Sequence, residues 1–147
     1  MKNTDTIKKI IYDNIDPVAM QSPDATKDEI FDTIIKGLEA NLSFALTKND
    51  VVMVFVPEGV ALLKMHFFSN NKGFSIVDAN LHMCNYVFRN SNYQKIYGVT
   101  ANKKMVKYAI RARWKHEGTL TKSFLDANGN LVDQYILGLT REDSLRE

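Results

Sequence analysis

The segment from residue 60 to residue 100 constrains the fold most, because its pattern changes from strand to helix and back to strand. Residues 60–68 form a long run of mostly apolar residues, and the polar stretch 69–73 follows it. A helical pattern then covers about residues 74–89, and residues 95–100 form a second short strand pattern. Two strands joined through a crossover helix run parallel. The sequence therefore predicts an α/β sheet in which these two strands are parallel neighbours.

Four apolar residues mark one face of the helix in this segment. They are Val77, Leu81, Cys84 and Phe88. The single cysteine fits this stripe as a small core residue, and His82, two positions before it, faces another way, so a Cys–His nucleophile is not expected. One cysteine allows no disulfide within the chain, which fits a reducing compartment. The three histidines and the cysteine show no metal-ligand spacing, so no metal site is predicted.

The chain before residue 60 predicts two helices and two strands. The first helix covers residues 5–14, and the second covers about residues 27–40. Thr26 and Glu29 have the spacing of a capping box at the start of the second helix. Strands are expected at residues 43–47 and 51–56. A short turn joins residues 51–56 to the strand that follows, so these two strands should be antiparallel.

The chain after residue 100 predicts a helix and a hairpin. The helix covers residues 102–114, and strands follow at residues 119–125 and 131–139. The Asn128-Gly129 pair between these strands is typical of a tight hairpin turn. The charged tail, residues 141–147, is expected to fray.

Length and composition favour one domain spanning residues 1–147. The chain has 45% hydrophobic and 24% charged residues and a formal net charge of +2, which gives no strong attraction to nucleic acid or membranes. No apolar run reaches membrane-spanning length, and within the N-terminal helix and loop, residues 1–25, the first 13 residues lack the apolar stretch of a signal peptide. A cytoplasmic location is therefore expected.

Three stretches resemble the GCN5-related N-acetyltransferases (GNAT superfamily). The strand LLKMHFF runs into SNNKGFSIVDA and a helix; Asn102 opens a helix after a short strand, with Trp114 twelve residues later; and WKHEGTL…NGN…DQYILGLTRED resembles the family's closing strands. The match covers roughly residues 25–143 and is greatest to the ribosomal-protein N-acetyltransferase branch and small phage-encoded relatives. The resemblance implies an α/β fold with a mixed sheet of about six strands and helices on both faces. For a phage-encoded protein the location would be the host cytoplasm.

The resemblance also implies an acetyl-CoA-dependent transferase that acetylates an amine, such as a protein N-terminus or a lysine. In this family the cofactor enters where two parallel strands separate, its pantetheine arm pairs with a strand, and its pyrophosphate lies at a helix N-terminus. The cofactor-binding residues carried over in this way are Phe67, Phe68, Asn70, Asn71, Lys72, Gly73, Phe74, Ser75, Asn102 and Lys104. Lys72 stands where the family has Arg or Gln and could reach a phosphate.

One histidine is a candidate general base. His66 lies in the strand beside the expected thioester, and imidazole titrates near neutral pH. The alternative reading is a strand histidine hydrogen-bonded to a neighbour, and the sequence leaves both open.

Several positions depart from the family pattern. Ser75 and Val77 stand at its glycine positions, and Ala109 stands where many members have a tyrosine general acid. Tyr108, one place earlier, is expected to point elsewhere. These departures support a second hypothesis, a phage protein that keeps the fold, has lost the chemistry, and binds a protein partner or a second copy of itself.

A third hypothesis rests on the basic helix after residue 102. Its cations are Lys103, Lys104, Lys107, Arg111, Arg113 and Lys115. They could bind a cofactor phosphate or a nucleic acid, but a solvated helix face explains them as well. The near-neutral charge of the whole chain makes nucleic acid an unfavoured partner.

Overall fold

Six strands form one mixed sheet, and helices pack on both of its faces. The computed structural model describes residues 4–147. Its strands are β1 Phe44–Lys48, β2 Val51–Pro57, β3 Leu62–Ser69, β4 Lys95–Thr100, β5 Lys115–Leu125 and β6 Leu131–Thr140. Its helices are α1 Thr4–Asp13, α2 Lys27–Glu39, α3 Ser75–Arg89, α4 Lys103–Arg111 and α5 Arg141–Leu145. The strand order across the sheet is β1-β2-β3-β4-β6-β5, so the predicted six-stranded α/β sheet is confirmed.

Strand β2 is apolar throughout because both of its faces are covered. Val51, Met53 and Phe55 belong to the core under α3 and α4, whereas Val52 and Val54 belong to a second core with α1 and α2. All five side chains are buried. Successive side chains of a strand point to opposite faces, so a strand between two helical layers needs apolar residues at every position.

The predicted strand directions are confirmed. Strand β2 pairs with β3 antiparallel from Val51 opposite Ser69, and β3 pairs with β4 parallel from Leu62 opposite Lys95. Helix α3 forms the crossover between β3 and β4. Strand β6 pairs antiparallel with β4, so the β3–β4 pair is the parallel one in an otherwise antiparallel sheet.

The turn between β2 and β3 is longer than the sequence suggests. Strand β3 begins at Leu62 rather than at residue 60. Gly59 has φ +102°, and the Glu58 amide donates to the Leu62 carbonyl at 2.8 Å, which closes the turn. Val60 is therefore 93% exposed despite its apolar side chain.

The boundary between α4 and β5 also differs from the prediction. Helix α4 ends at Arg111 and β5 begins at Lys115, whereas the sequence pattern placed the helix end at residue 114 and the strand start at residue 119. Arg113 has φ +76°, and the Trp114 amide donates back to the Ala109 carbonyl at 3.0 Å. A left-handed residue is a common way to end a helix, but it is usually a glycine, so the sequence does not signal it.

The prediction that the C-terminal tail frays is wrong, because most of it is helical. Residues Arg141–Leu145 form α5, with the Thr140 side chain accepting from the Asp143 amide at the helix start. Ser144 is 2% exposed, and its hydroxyl donates to Asn85 Oδ1 at 2.6 Å. The Arg113 guanidinium donates to the Ser144 carbonyl at 3.0 Å. Tertiary contacts thus order a segment whose own composition is polar.

The capping box and the hairpin turn are confirmed. The Glu29 amide donates to Thr26 Oγ1 at 3.1 Å, and the Thr26 amide donates to Glu29 Oε1 at 2.9 Å. In the β5–β6 turn, Asp126 Oδ1 accepts from the Asn130 amide at 2.8 Å, and Gly129 has φ +81°.

A buried polar contact fixes α3 against the end of α4. Trp114 and Asn80 are 2% and 6% exposed, and the indole Nε1–H donates to Asn80 Oδ1 at 2.8 Å. The Cys84 thiol donates to the same oxygen at 3.3 Å. One acceptor therefore satisfies two donors in the core between the helices.

Replacing Asn80 with Ala should lower the free energy of unfolding by about 1–3 kcal/mol, because the buried indole N–H loses its acceptor. Urea denaturation followed by tryptophan fluorescence measures this loss. The exposed Asn92→Ala variant is the control and should unfold at the wild-type urea concentration. Equal midpoints for Asn80→Ala and wild type would show that the contact contributes nothing.

Candidate active site

A cleft opens where β3 and β4 separate. Their parallel register ends at Lys64 opposite Tyr97, although both strands continue beyond that point. Residues 64–68 of β3 form one wall, and residues 98–102 form the opposite wall. The cleft has a volume of about 1120 Å³. Strand β2 bonds to the outer edge of β3, and β6 bonds to the outer edge of β4. The inner edges of β3 and β4 therefore face this cleft.

The cleft passes from one face of the sheet to the other. On one side it is lined by α3 and α4, through Ile76, Asn80 and Met105. On the other side it is lined by the loop between α1 and α2, through Ala19 and Met20. Two ligands could therefore approach one point from opposite faces of the sheet.

The structure brings four of the sequence-predicted site residues to the cleft. His66, Phe67, Phe68 and Asn102 line it. Asn102 is the N-cap of α4, where its Oδ1 accepts from the Lys104 amide at 2.9 Å. The Lys104 side chain is not part of the cleft lining; its ammonium lies 5.5 Å from the centre of the Tyr108 ring.

The other six predicted residues lie outside the cleft lining. Five of them form the loop before α3, and the sixth is the first residue of α3. They are Asn70, Asn71, Lys72, Gly73, Phe74 and Ser75. Asn71 holds this loop together: its Oδ1 accepts from the Gly73 amide at 2.7 Å, and its Nδ2 donates to Ser75 Oγ at 2.7 Å. The loop is therefore a fixed turn at the N-terminus of α3.

The N-terminus of α3 differs from those of the other helices whose caps the structure describes. Thr26, Asn102 and Thr140 cap α2, α4 and α5 with side-chain hydrogen bonds, whereas the N-cap of α3 is Phe74, which makes none. Val77 does not obstruct this end of the helix, because its side chain is buried in the core. The start of α3 is left without a side-chain acceptor for its first amides.

Tyr108 corrects the sequence analysis, since it lines the cleft instead of pointing elsewhere. Its ring packs edge-to-face against Phe74, with ring centres 6.3 Å apart. The Arg111 guanidinium lies 5.1 Å from the centre of the Phe74 ring. This contact joins the start of α3 to α4 beside the cleft.

His66 faces the side of the sheet that carries α1 and α2. It alternates along β3 with Phe67, which packs in the core of the opposite face, and shares its side with Phe68. His66 is exposed to solvent, although it lies in a concave wall. Loss of hydration lowers the pKa of His66, the Lys64 ammonium lowers it further, and the Glu58 carboxylate opposes both. The neutral, proton-accepting form of the imidazole is thereby favoured near pH 7.

The loop between α1 and α2 is part of the site and gave no sequence signal. The Gln21 side chain bonds to the backbone of Leu125 twice: Nε2 donates to its carbonyl at 3.0 Å, and Oε1 accepts from its amide at 2.9 Å. Gln21 itself has φ +57°. This clasp holds the loop to the far end of β5, so that Met20 and Gln21 line the cleft.

Charged residues around the cleft do not make it acidic. The lining includes the ammonium groups of Lys64, Lys103 and Lys122 and the carboxylates of Asp126 and Asp133. Both carboxylates already serve the hairpin, since Asp133 accepts from the Lys122 amide at 2.8 Å and Asp126 accepts from turn amides. The described lining therefore carries three ammonium groups against two carboxylates, an excess of positive charge.

Other candidate groups are structural. Cys84 is fully buried, and burial raises the pKa of its thiol far above the usual range, so it is a core residue as predicted. Glu117 pairs with Lys95 at 2.7 Å. The Glu58 carboxylate accepts from the Tyr97 hydroxyl, which raises the pKa of Tyr97 to about 12.

Two features are absent from the part of the chain that the structure describes. Within residues 4–147, no three His, Cys, Asp or Glu side chains are grouped as they would be around a metal ion. In the same range, no helix is long and apolar enough to cross a membrane.

The imidazole of His66 should titrate below its usual pH of about 6.5, because desolvation and Lys64 disfavour its charged form. Removing the cation in Lys64→Met should move the titration upward, whereas Lys36→Met on the exposed side of α2 should not. An NMR titration of the imidazole resonances measures both. A midpoint at or above the usual value would contradict the account.

Comparisons with known proteins agree with the geometry. No family model matches the sequence, and neither does any curated protein. Among solved structures, the chain is similar to Vibrio cholerae spermidine N-acetyltransferase in complex with CoA and spermine, at 18% identity and a TM-score of 0.65, covering 99% of this chain and 95% of that one.

Two further structures give the same result. The Vibrio cholerae spermidine/spermine enzyme with manganese ions gives 20% identity and a TM-score of 0.63, over 82% of this chain and 78% of that one. A chimera of the Vibrio cholerae enzyme and hSSAT gives 18% identity and a TM-score of 0.70, over 95% of this chain and 94% of that one. The chain thus has the fold of the GCN5-related N-acetyltransferases.

Proposed function

We propose that the protein is an acetyl-CoA-dependent N-acetyltransferase that acts on an amine. The observation that carries this proposal is the separation of β3 from β4 beside the uncapped N-terminus of α3. A free strand edge can pair with the amide groups of a pantetheine arm, and a helix N-terminus attracts a pyrophosphate. The similar Vibrio cholerae structure holds CoA and spermine, which supports the same combination of donor and amine.

The size of the cleft also supports two ligands. Its volume of about 1120 Å³ lies above the range of about 300–1,000 Å³ that is typical of sites for a single small ligand. Since the cleft opens on both faces of the sheet, the donor would occupy the α3–α4 side and the acceptor the α1–α2 side.

The donor would be held mainly by β3 and the start of α3. Phe67 and Phe68 supply strand backbone, and the loop from Asn70 to Ser75 supplies amides and the ammonium of Lys72 for phosphate. Asn102 lies at the opposite wall. Its Oδ1 is occupied by the helix cap, so a contact with the donor would use its Nδ2.

Acetyl-CoA supplies a thioester whose acyl–sulfur bond breaks as the acyl–nitrogen bond forms. In this proposal His66, whose lowered pKa favours the neutral imidazole, takes the proton that the amine loses. Tyr108 stands on the α4 side of the cleft, where its hydroxyl could protonate the departing thiolate in place of the tyrosine that Ala109 replaces.

The amine is not expected to be a polyamine. A polyamine would carry its second and third ammonium groups into a site whose lining has three lysines and two carboxylates, both of them engaged in the hairpin. Like charges repel, so the excess positive charge of the lining disfavours such an acceptor. The acceptor of the similar enzymes is therefore not transferred to this chain.

One observation favours the alternative, a protein that keeps the fold without the chemistry and binds a partner. The Ile76 and Val77 amides already donate to the Gly73 and Phe74 carbonyls at 3.3 and 3.0 Å, which leaves fewer amides for a pyrophosphate. Under this alternative the chain would bind no CoA.

Calorimetry with acetyl-CoA decides between the two. Binding is expected, and Ser75→Asp should weaken it about tenfold, because one added charge a few ångströms from a pyrophosphate costs on the order of 1 kcal/mol or more. Asp near a helix N-terminus is itself favourable, so this variant should stay folded. Asn92→Asp adds the same charge at an exposed loop and is the control. Absence of heat and of a thermal shift at millimolar ligand would reject the proposal.

Replacing His66 with Gln should lower kcat by about 100-fold or more and leave the KM for acetyl-CoA unchanged. The wild-type rate should fall with an acidic midpoint below the usual histidine value of about 6.5, because His66 becomes protonated only below that pH, and this acidic limb should vanish in the variant. The control is His82→Gln, an exposed histidine on α3. If the pH–rate profile of His66→Gln matches that of wild type, His66 is not the base.

A further inference from the structure

A second, smaller cavity lies between α2 and the β2–β3 pair, and the proposed reaction does not account for it. We call it the α2 pocket. Its volume is about 250 Å³, and its lining residues are Met20, Thr33, Ile34, Gly37, Leu42, Ser43, Val54, Val56, His66 and Phe68. This volume is below the range of about 300–1,000 Å³ of whole-ligand sites, so the pocket suits one group of a larger ligand.

The α2 pocket adjoins the main cleft. Met20, His66 and Phe68 line both cavities. The candidate base therefore stands at the junction between them. An amine nitrogen beside His66 would have its substituent directed either along the main cleft or into the α2 pocket.

The chemistry of the α2 pocket is apolar. Among the described residues, its lining contains neither a carboxylate nor an ammonium group, and His66 is the one titratable side chain there. The Thr33 hydroxyl is already engaged, since it donates to the Glu29 carbonyl at 3.0 Å. A hydrocarbon group would be favoured here by burial, whereas a second ammonium group would find no partner.

We propose that the α2 pocket receives the substituent of the acceptor, so that the substrate class is a primary amine carrying one compact aliphatic or aromatic group. This inference rests on the proposed N-acetyltransferase function and specifies its acceptor. His66 accepts the proton at the pocket mouth, Phe68 and Val54 contact the apolar group, and Leu42 forms the outer wall. A free alkylamine and the N-terminus of a peptide beginning with Leu present the same chemistry.

The test is a series of acceptors at saturating acetyl-CoA: ethylamine, butylamine, isoamylamine, phenethylamine, spermidine and a short peptide with N-terminal Leu. The value of kcat/KM should rise about fourfold per added methylene until the pocket is full, because each buried methylene contributes about 0.8 kcal/mol. Spermidine should be a poor acceptor. The peptide arm distinguishes a protein N-terminus from a free amine as the source of the group.

A matched pair of variants tests whether the preference for larger apolar amines arises in the α2 pocket. Leu42 is 69% exposed and Val60 is 93% exposed, so replacement of either leaves the core intact. Leu42→Asn should lower kcat/KM for isoamylamine about fivefold by removing apolar wall, with ethylamine and acetyl-CoA unaffected. Val60→Asn, at the β2–β3 turn outside the pocket, should change nothing.

The outcomes separate the two proposals. Suppose that ethylamine or spermidine is acetylated as fast as isoamylamine, and that Leu42→Asn behaves like Val60→Asn. This result overturns the proposed role of the α2 pocket but leaves the proposed transferase function standing. If no amine is acetylated, the proposed transferase function is rejected, but the α2 pocket can still be tested by amide NMR shifts on addition of phenethylamine. Shifts confined to the residues around Thr33 and Leu42 would support a site for an apolar group. The absence of such shifts would overturn it.

Discussion

The parallel pairing between β3 and β4 lasts for three residue pairs and then stops, and the rest of the site depends on that interruption. Each strand keeps its other neighbour, β2 or β6, so the sheet stays intact while two inner edges are exposed. Unpaired backbone groups away from water are costly, and a ligand that can complete the strand pattern relieves that cost. The Trp114–Asn80 contact holds α3 and α4 on one side of the gap.

The two faces of the sheet divide the proposed reaction. Alternation along β3 sends Phe67 toward the core under α3 and α4, and sends His66 and Phe68 toward α1 and α2. In the proposed reaction the donor and the acceptor would meet at the gap from opposite sides, with His66 on the acceptor side. The Gln21–Leu125 clasp closes the acceptor side, which gives a loop of little regular structure a defined position.

The order of the helices and strands, the parallel pair and the capping box follow from local patterns, and all three are confirmed. The sequence analysis missed the α5 helix although Thr140 and Asp143 have the spacing of a helix cap, because its polar residues are ordered by Asn85 and Arg113 far away in sequence. Tyr108 was wrongly predicted to point away from the site. Counting residues from Asn102 does not give the position of the whole helix relative to the cleft. The roles of Gln21 and of the α2 pocket arise from contacts between distant segments, which no spacing rule contains.

Hydrogen exchange along β3 tests the central claim most directly. The amides of residues 65–68 that face the gap should exchange rapidly in the free protein, whereas those bonded to β2 should be protected. Saturating acetyl-CoA should protect the gap-facing amides of β3 and the first amides of α3, and leave the β5–β6 turn unchanged. Exchange at residues 65–76 that is unaltered by acetyl-CoA would contradict the claim that the separated strands form the donor site.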